Sequence, residues 1–600
     1  MTKAPIRVAN FSGALGDYIG AFADAIADET IDVAIGDYLA EMTMGRVAEG
    51  FCGAGKPQAL AGYYADIFLR QITPELGRIA ERGVKVVTNA GAFNPAGLAT
   101  LIAREAAAQG LGLRVAYVEG DDLLGRVPAL AAEGQLANLD DGAPIGPIAD
   151  KLLAANAYLG GWGIAAALTQ GADIVICGRV SDASLVLGPA AWWHGWAKDD
   201  WDALAGSVAA GHIIECGPQA MGGNFSGFAQ LGAPTRLGFP IAEIAADGSA
   251  VITKRAGDGG VVTVDTVTAQ LMYEIQGTHY LNPDVVLHID SIALSQQGPD
   301  RVQVSGVRGD PAPDTTKVGC FYQHGWRAMI WGFATGPDWR EKAGWLRVQM
   351  EAMTADLALD EFHFQPLGQP IADPVSEAEA TVAIRIAAAA QSRSSLSKLL
   401  AGYASFGLGG IPGFQGDGAG PPQPRVHYWP GLVRQADLDH RVTFIDGPDM
   451  AVAMPPMAPF VAPAPAGPAP AAPTSETRAV LLGSLVHARS GDKGANANIG
   501  VWVQRPETWP WLRDTLDADR LAQLMGLDPS VKVERHDLPN INGLLFVLKG
   551  YFGTSGTGNI ALDQIGKAAG EFLRARTIQV PMALAGGFET LEAVHDHGRP

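Results

Sequence analysis

Residues 172–189, ADIVICGRVSDASLVLGP, begin as a compact apolar strand and continue through a polar turn into a second apolar segment. The β-branched run at 174–176 is typical of a buried strand, and Gly178 marks its end. Four earlier stretches repeat the pattern: IRVANFSG (6–13), DVAIGDYL (32–39), VKVVTNAG (84–91) and LRVAYVEG (113–120). Alanine-rich helical stretches lie between them, so the chain predicts parallel βαβ units in a large, Rossmann-like α/β domain. Ligands of such domains bind at the carboxyl ends of the strands.

A proline- and alanine-rich segment, 454–477, separates this domain from the rest of the chain. Proline blocks helices and sheet ladders and favours extended backbone, so we expect a semi-rigid linker. The predicted organisation is an α/β domain at 1–453, the linker, a small α+β domain at 478–578 and a tail at 579–600.

Two stretches of the first domain differ in residue composition and pattern from the βαβ units. Residues from about 210 to 335 are richer in valine and threonine, which predicts a β-rich subdomain. Residues 376–404, SEAEATVAIRIAAAAQSRSSLSKLLAGYA, predict one long helix.

The composition excludes several classes of protein. The 43 basic against 63 acidic residues give a net charge of −20, which argues against a nucleic-acid or anionic-membrane binder. The four cysteines form neither a zinc spacing nor a disulfide framework, which predicts a reducing cytoplasm. The N-terminus shows no apolar core of a signal peptide, and no apolar run is long enough to span a membrane. From the size and the apolar content we expect a homo-oligomer.

Polar residues at the predicted strand ends are the first candidates for a site. Ser12 and Asp17 lie in a glycine-rich turn that could bind an anion or cap the following helix. Asp37 and Glu41 are four residues apart, so a helix would place both carboxylates on one face. That face would be either an acid–base pair in a pocket or a solvated surface.

The next two strand ends carry amides and further acids. Asn89 and Asn94 could bind a substrate carbonyl or hydroxyl, although an asparagine before proline also suits a helix cap. Glu119, Asp121 and Asp122 could ligate Mg²⁺ or Ca²⁺, but adjacent acids in a loop are more often solvated. No metal ligand and no cofactor are therefore predicted, with Mg²⁺ kept as the one alternative.

Arg179 is the strongest candidate for an anion clamp. A guanidinium at a strand end suits a carboxylate or a phosphate, and Asp182 would hold it in position. Cys177, just before it, is expected to be a small buried residue, because no histidine at hydrogen-bond spacing would activate it.

Two later motifs add acids, an amide and a histidine. HIIECGPQAMGGNFSGF (212–228) contains Glu215 and Asn224, and YEIQGTHYLNPDVV (273–286) contains Glu274 and His279. His279 is the best lone general acid–base candidate because its ordinary pKa lies near neutrality, but a structural role beside a turn is as well supported. HExxH, GxSxG and GxxxxGK[ST] are absent from the sequence, so the common metalloprotease, serine-hydrolase and P-loop classes lose their main support.

HARSGDKGANANIGV (487–501) is the densest polar stretch of the second domain, and we read it as a glycine-rich loop. If the small domain folds back over the strand ends of the large one, Arg489 and Lys493 would supply positive charge there. Asn496 and Asn498 would supply amide donors. The competing interpretation is a self-satisfied loop in which Asp492 pairs with one of the cations.

Several of these stretches together resemble the AtuA-type acyclic terpene utilization family. They are SGALGD (12–17), YLAEMTMG (38–45), NAGAFNPAG (89–97), GADIVICGRVSDASLVLGP (171–189), GGNFSGF (222–228) and LMYEIQGTHYLNPDVV (271–286). The 487–501 stretch and NGLLFVLKGYFGTSGTGNIALDQIGKA (542–568) resemble the small C-terminal module of that family, which implies a ferredoxin-like fold. At 552–567 the chain has Thr554, Ser555, Thr557 and Asn559 where the family leads us to expect a serine- and arginine-containing turn.

The resemblance implies a role in the breakdown of acyclic terpenes and branched-chain acids through CoA thioesters. With the acid–base candidates, it predicts a cytoplasmic enzyme that acts on an acyl-CoA or a related carboxylic acid, as a hydratase, dehydratase or C–C lyase. The alternative is a non-catalytic subunit or scaffold that binds an acyl-CoA carboxylase-type partner. A loop at 489–498 that faces the strand ends at 177–182 or 89–95 across a cleft would favour the enzyme, and a loop that points to solvent would favour the scaffold.

The predicted site consists of two sets of residues. The catalytic candidates are Asp17, Glu41, Glu215, Glu274, His279, Asp492 and Lys493. The substrate-binding candidates are Ser12, Asn89, Asn94, Arg179, Asp182, Asn224, Arg489, Ser490, Asn496 and Asn498. The expected partner is a small-molecule substrate, with neither nucleic acid nor membrane.

Overall fold

Short apolar runs that end in turns form the strands at the centre of the large domain. The computed structural model describes residues 3–584 except 53–61, 233, 417–419, 466, 468–475 and 554–555. Up to residue 460 the strands are β1 (Ile6–Ser12), β2 (Val33–Gly36), β3 (Lys85–Thr88), β4 (Val115–Glu119), β5 (Leu152–Ala157), β6 (Ile174–Cys177), β7 (Pro240–Ile244), β8 (Ala250–Lys254), β9 (His279–Leu281), β10 (Val285–His288), β11 (Ala293–Gly298), β12 (Arg301–Ser305), β13 (Gly309–Pro313), β14 (Thr315–Thr335), β15 (Glu361–Leu367), β16 (Thr381–Ala390), β17 (Gln415–Gly416), β18 (Gln423–Arg434), β19 (Arg441–Phe444), β20 (Asp449–Ala451) and β21 (Met457–Ala458). The helices of the same part are α1 (Ala21–Ala27), α2 (Glu41–Glu49), α3 (Asp66–Ile72), α4 (Leu76–Arg82), α5 (Pro95–Ala108), α6 (Val127–Ala132), α7 (Trp162–Thr169), α8 (Ser184–His194), α9 (Trp201–Ile214), α10 (Val264–Leu271), α11 (Trp339–Thr354), α12 (Arg393–Ala404) and α13 (Phe406–Gly409).

Five of these strands form a parallel sheet in the order β1-β2-β3-β6-β4. Both faces of this sheet are apolar, and each is covered by a hydrophobic cluster, as is usual for parallel sheets. Val8 and Ile35 face one cluster, and Phe11 and Ala34 face the other. The α/β class is therefore confirmed, whereas the Rossmann-like assignment is not.

Antiparallel strands extend this sheet at both edges to eleven strands. Beyond β1 lie β7, β8, β12 and β11, and beyond β4 lie β19 and β20. Four strands from the β-rich stretch at about 210–335 thus belong to the central sheet. Three others from that stretch, β9, β10 and β13, join β21 in a separate four-stranded sheet.

A second large sheet is organised around the 21-residue strand β14, which pairs with β5, β16, β17 and β18. The long helix predicted at 376–404 is wrong, because this stretch divides into β16 and α12. Strand β16 pairs with β14 on one side and β15 on the other. Pairing along both edges outweighs the helix propensity of its alanines.

The C-terminal domain contains β22 (Thr477–Leu481), β23 (Val486–Lys493), β24 (Asn496–Val503), β25 (Lys532–Leu538), β26 (Gly543–Lys549), β27 (Thr577–Pro581), α14 (Trp509–Thr515), α15 (Ala518–Met525) and α16 (Ala569–Arg574). Four strands form an antiparallel sheet in the order β23-β24-β26-β25, and β22 pairs with β27. The glycine-rich loop predicted at 487–501 is in fact the hairpin β23–β24, paired from Val486–Val503 to Lys493–Asn496. Gly494 has a φ of 64°, which supplies the left-handed residue that so tight a turn requires.

The first part of the proline- and alanine-rich segment packs against the large domain. Its strand β21 pairs in parallel with β13, and the ring of Phe460 lies 5.7 Å from that of His279. Residues 466 and 468–475 of the predicted linker lie outside the described residues. In the described part of the chain, no helix has both the length and the apolar character needed to cross a membrane.

Candidate functional site

The ends of β2, β6 and α9 open into a cleft that the C-terminal domain closes from the other side. Asp37 follows β2 directly, the turn after β6 carries Asp182, and Glu215 follows α9. The cleft has a volume of about 520 Å³, and Asp492 and Lys567 line it from the C-terminal domain. We call it the interdomain cleft. Its position at the carboxyl ends of parallel strands is where α/β folds bind ligands.

Asp37, Asp182 and Glu215 form a group that we call the carboxylate cluster. One carboxylate oxygen from each lies within 4.8 Å of the others. The Oδ1 atom of Asp37 accepts hydrogen bonds from Asn89 Nδ2 at 2.6 Å and from the backbone N–H of Leu39 at 3.0 Å. Burial raises the pKa of Asp37 and Glu215 well above the usual range, and the neighbouring carboxylates add to this.

Arg179 is bonded to one acid of the carboxylate cluster. Its Nη2 atom donates to Asp182 and its Nη1 atom to the carbonyl of Leu39. Its guanidinium carbon lies 4.1 Å from the centre of the Tyr158 ring. Asp182 therefore holds Arg179 as the spacing predicts, while two of the donors that a substrate clamp would use are occupied by the protein.

Glu41 lies beside the cluster but does not share a helix face with Asp37. That prediction is wrong because α2 begins at Glu41, after the strand end that carries Asp37. Glu41 Oε1 accepts from Lys317 Nζ at 2.8 Å and from the Tyr158 hydroxyl at 3.0 Å. Burial alone would raise the pKa of Glu41, but Lys317 and Lys493 outweigh it and hold that pKa well below the usual range. Glu41 is therefore ionised at neutral pH, which argues against a role as proton donor.

The turn that carries Ser12 and Asp17 forms one wall of the cleft. Asp17 accepts from the backbone N–H groups of Gly13 and Ala14 at 2.7 and 3.0 Å, and burial raises the pKa of its carboxyl. Ser12 is buried and donates to the carbonyl of Ala14. Neither residue caps α1, because the N-cap is Gly20.

The hairpin β23–β24 packs on residues 272–276 of the large domain. Asn498 Nδ2 donates to the carbonyl of Met272 at 2.7 Å, and its Oδ1 accepts from the backbone N–H of Glu274 at 3.1 Å. Lys493 Nζ lies 3.0 Å from Glu274 Oε2. We call this element the docking hairpin, since its polar side chains fasten one domain to the other.

The remaining polar residues of the docking hairpin are also held by protein groups. Arg489 Nη2 donates to Gln219, and its guanidinium carbon lies 4.1 Å from the centre of the Tyr273 ring. Asn496 Nδ2 donates to Asp140 at 2.7 Å, and Ser490 Oγ accepts from the backbone N–H of Gly570 at 2.8 Å. Both asparagines of the hairpin, Asn496 and Asn498, were predicted to bind substrate, and their amides have protein partners instead.

Asp492 is the docking-hairpin side chain that lines the interdomain cleft. Burial raises its pKa well above the usual range, and the charges of Glu274 and Glu41 raise it further. The self-satisfied loop considered for this stretch, with Asp492 paired to Arg489 or Lys493, does not occur, because Lys493 pairs with Glu274 and Arg489 bonds to Gln219.

Glu274 and Asn224 line the cleft with left-handed backbone, at φ values of 58° and 57°. Left-handed backbone at a non-glycine residue raises the conformational free energy by about 1–2 kcal/mol. Asparagine adopts this conformation more readily than glutamate does. At Glu274 the ion pair with Lys493 and the hydrogen bond to Asn498 offset this cost.

His279 and Asn94, both predicted for the site, lie elsewhere. His279 lines a second cavity of about 280 Å³ with Lys317, Lys493 and Phe460. Burial and the neighbouring His288 lower the pKa of His279. Asn94 is the N-cap of α5 and accepts from the backbone N–H at residue 97, so its capping role is confirmed.

The acids considered for Mg²⁺ at 119–122 do not converge. Asp121 Oδ2 accepts from the backbone N–H of Arg179 at 2.9 Å and from Asn156 Nδ2 at 2.8 Å. Burial raises the pKa of Asp121 to about 6. Among the described residues, the groups whose ligand atoms come together lie at other positions.

Lys567 is a cleft residue that the sequence patterns did not indicate. It stands in a turn that the second large sheet holds in place: Arg385 Nη2 donates to the carbonyls of Ile560 and Ala561, and Arg425 Nε to that of Gly558. No periodicity or motif connects those arginines with this turn. Thr554 and Ser555 of the same turn lie outside the described residues, and Thr557 and Asn559 donate to backbone carbonyls.

Comparison with known proteins agrees with these two parts of the chain. Residues 6–444 match the acyclic terpene utilisation family protein AtuA, and residues 480–579 match the AtuA ferredoxin-like domain. No curated protein and no solved structure matches the chain.

Proposed function

Because the chain belongs to the acyclic terpene utilisation family AtuA, we propose that it is an enzyme of acyclic terpene and branched-chain acid breakdown. Its substrate is an acyl-CoA thioester or a related carboxylic acid. The reaction is a hydration, a dehydration or a C–C cleavage, and the active site is the interdomain cleft.

The observation that carries this proposal is the composition of the cleft walls. Asp492 from the docking hairpin and Lys567 from the following turn line the same cleft as Arg46 and Asn224 from the large domain. Cations at the cleft wall suit the carboxylate or the phosphates of an anionic substrate. Asp492 and Lys567 come from the C-terminal domain and Arg46 from the large domain, so both domains contribute to the site.

Asp492 is the proposed general acid. Its raised pKa keeps the carboxyl protonated at a pH where an exposed aspartate is ionised. Hydration, dehydration and C–C cleavage next to a carbonyl all need a proton donor or acceptor near that carbonyl. They also need donors that stabilise the oxyanion or enolate, a role that we assign to Lys567 and Arg46.

The position of the docking hairpin supports an enzyme over a scaffold. The hairpin faces the strand ends across a cleft, with Asp492 and Asp182 lining the same space. A module that served only to bind an acyl-CoA carboxylase-type partner would be expected to present these residues to solvent.

The test is turnover of the full-length protein with geranyl-, citronellyl- and 3-methylglutaconyl-CoA and their free acids, followed by mass spectrometry. We expect one thioester to change mass and Asp492→Asn to lower kcat by about 100-fold or more. The wild-type kcat should fall as the pH rises through the raised pKa of Asp492, and this limb should be lost in the variant.

Asp519→Asn, an exposed aspartate of α15 in the same domain, is the matched control and should leave kcat unchanged. Turnover that is equal in Asp492→Asn and wild type would contradict the assignment of the acid. The absence of turnover of every member of the panel would contradict the proposed substrate class.

A further inference from the structure

The carboxylate cluster brings three acids together with little positive charge among them. Asp37, Asp182 and Glu215 come from three separate elements, and their oxygens lie within 4.8 Å of one another. Arg179 bonds to Asp182, and Lys493, the next cation, is paired with Glu274. With all three acids ionised, one guanidinium leaves two negative charges of the cluster without a direct partner.

Glu215 provides an independent sign that a ligand is missing. It is 4% exposed, and its Oε2 atom is buried without a hydrogen-bond partner among the described residues. A buried carboxylate oxygen without a partner is strongly disfavoured. Glu215 lines the cleft with Asp37 and Asp182, so this unpartnered oxygen is carried by one of the three acids of the cluster.

The neighbouring His212 shows the same deficiency. Its Nε2 atom lies 3.3 Å from the carbonyl of Leu271, and this partner assigns the proton to Nε2. Its Nδ1 atom then presents a lone pair 3.4 Å from Glu215 Oε1 and has no hydrogen-bond partner in the described part of the chain. When Glu215 is ionised, two acceptors face each other, and a positive species between or beside them, a proton or a cation, stabilises them.

We propose that Asp37, Asp182 and Glu215 bind one hard divalent cation, of the Mg²⁺ and Mn²⁺ class, at the floor of the interdomain cleft. Carboxylate oxygens are the ligands that such cations prefer. Opposite oxygens of a coordination sphere lie about 4.2 Å apart around Mg²⁺ and up to about 5 Å apart around the larger Ca²⁺. The separation of at most 4.8 Å lies within the span of Ca²⁺ and slightly above that of Mg²⁺. A shift of a few tenths of an ångström therefore brings one oxygen of each acid within reach of a single ion of the proposed class.

The cleft gives such an ion open coordination positions. The three protein ligands leave room for oxygens of water or of a bound substrate on the cleft side. The ion would lie where a substrate carbonyl or carboxylate enters, and this catalytic role rests on the proposed function. Binding of the cation itself does not depend on it.

The other convergent group of the described residues, His279, His288 and Asp310, serves as the matched control. Asp310 is 57% exposed, and its Oδ2 atom already lies 2.7 Å from His288 Nε2. Its carboxylate therefore has both a partner and solvent, unlike Glu215.

The experiment measures Mn²⁺ binding by electron paramagnetic resonance on full-length protein freed of metal with a chelator, without substrate. We expect one saturable site per chain, displaced by Mg²⁺, and an affinity weaker by about tenfold or more in both Glu215→Gln and Asp37→Asn. Asp310→Asn should bind Mn²⁺ as wild type does. Thermal unfolding without metal should be no lower in Glu215→Gln than in wild type, because the substitution removes a buried charge.

The site would be overturned if no saturable Mn²⁺ binding were found up to millimolar concentration. It would also be overturned if Glu215→Gln and Asp37→Asn bound Mn²⁺ as tightly as wild type, or if Asp310→Asn lost the binding. In the first case the cluster holds protons instead of a cation. Since no substrate is present, failure of this test leaves the proposed reaction untouched, and failure of the turnover test leaves the metal site untouched.

Discussion

The carboxylate cluster and the docking hairpin are both crowded with polar side chains, yet their side chains differ in what they contact. On the hairpin, Arg489, Lys493 and Asn498 each bond to a group of the large domain. In the cluster, one oxygen of Glu215 has no partner among the residues that the structure describes. Dense polarity in a sequence is thus compatible with domain docking and with ligand binding, and the partners of each atom distinguish the two.

The largest expected effect on stability tests the hairpin as a docking element. Lys493→Met removes one member of a mostly buried ion pair and leaves Glu274 without its partner. We expect a loss of about 3–4 kcal/mol in the free energy of unfolding, measured by urea denaturation. Lys549→Met is the matched control, because its pair with Glu534 on the same sheet is far more exposed and should contribute less than about 1 kcal/mol.

The double variant Lys493→Met with Glu274→Gln sharpens this test. Removing both charges should cost less than the sum of the two single changes, since the uncompensated charge is gone. Additive losses would show that the pair does not couple the two domains, and the hairpin would then dock through its hydrogen bonds and packing.

A somewhat smaller effect is expected for Asn498→Ala. The substitution leaves the carbonyl of Met272 and the N–H of Glu274 without their side-chain partner at the domain interface. Each buried unsatisfied group costs about 1–3 kcal/mol, so we expect a loss of about 2–3 kcal/mol in urea denaturation. A loss below about 0.5 kcal/mol would contradict the docking role of this asparagine and reopen its assignment to substrate.

The prediction with the smallest effect tests whether burial alone, without charge repulsion, raises the pKa of a carboxyl group. Asp284 is at least as buried as Asp37 and Glu215, and burial, without a contribution from a neighbouring acid of the described residues, raises its pKa to about 6. Its Oδ2 atom accepts from the backbone N–H of Gly161 and from Ser184. Because the folded state holds this proton more tightly than the unfolded state, its contribution is complete below pH 3.8 and is lost as the pH rises to about 6.

Asp284→Asn should therefore flatten the fall in stability between pH 4 and pH 6.5, by up to about 2 kcal/mol, when urea midpoints are compared across that range. Asp247→Asn is the control and should not flatten this fall, because hydrogen bonds from Ser249 lower the pKa of Asp247 instead of raising it. Parallel slopes in wild type and Asp284→Asn would show that burial alone does not raise a carboxyl pKa in this fold.

Much of the site was predictable as a set of strand ends. The patterns at 32–39 and 172–189 predicted strands whose carboxyl ends carry acids, and Asp182, Glu215 and Asp492 all line the cleft. The partner of Asp37 was not predictable. The sequence places Glu41 four residues after it, whereas in the fold its acidic neighbours are Asp182 and Glu215, far along the chain.

The local sequence was sufficient where neighbouring residues settle the structure. Gly, Pro and β-branched runs mark the parallel strands and turns, and Asn94 before Pro95 marks the start of α5, because these preferences act over a few residues. The strand at 381–390, the pairing of Lys493 with Glu274 and the placing of Lys567 depend on segments that meet only after folding. Burial and long-range pairing set their conformation and their charge state, and neither can be read from a stretch of chain in isolation.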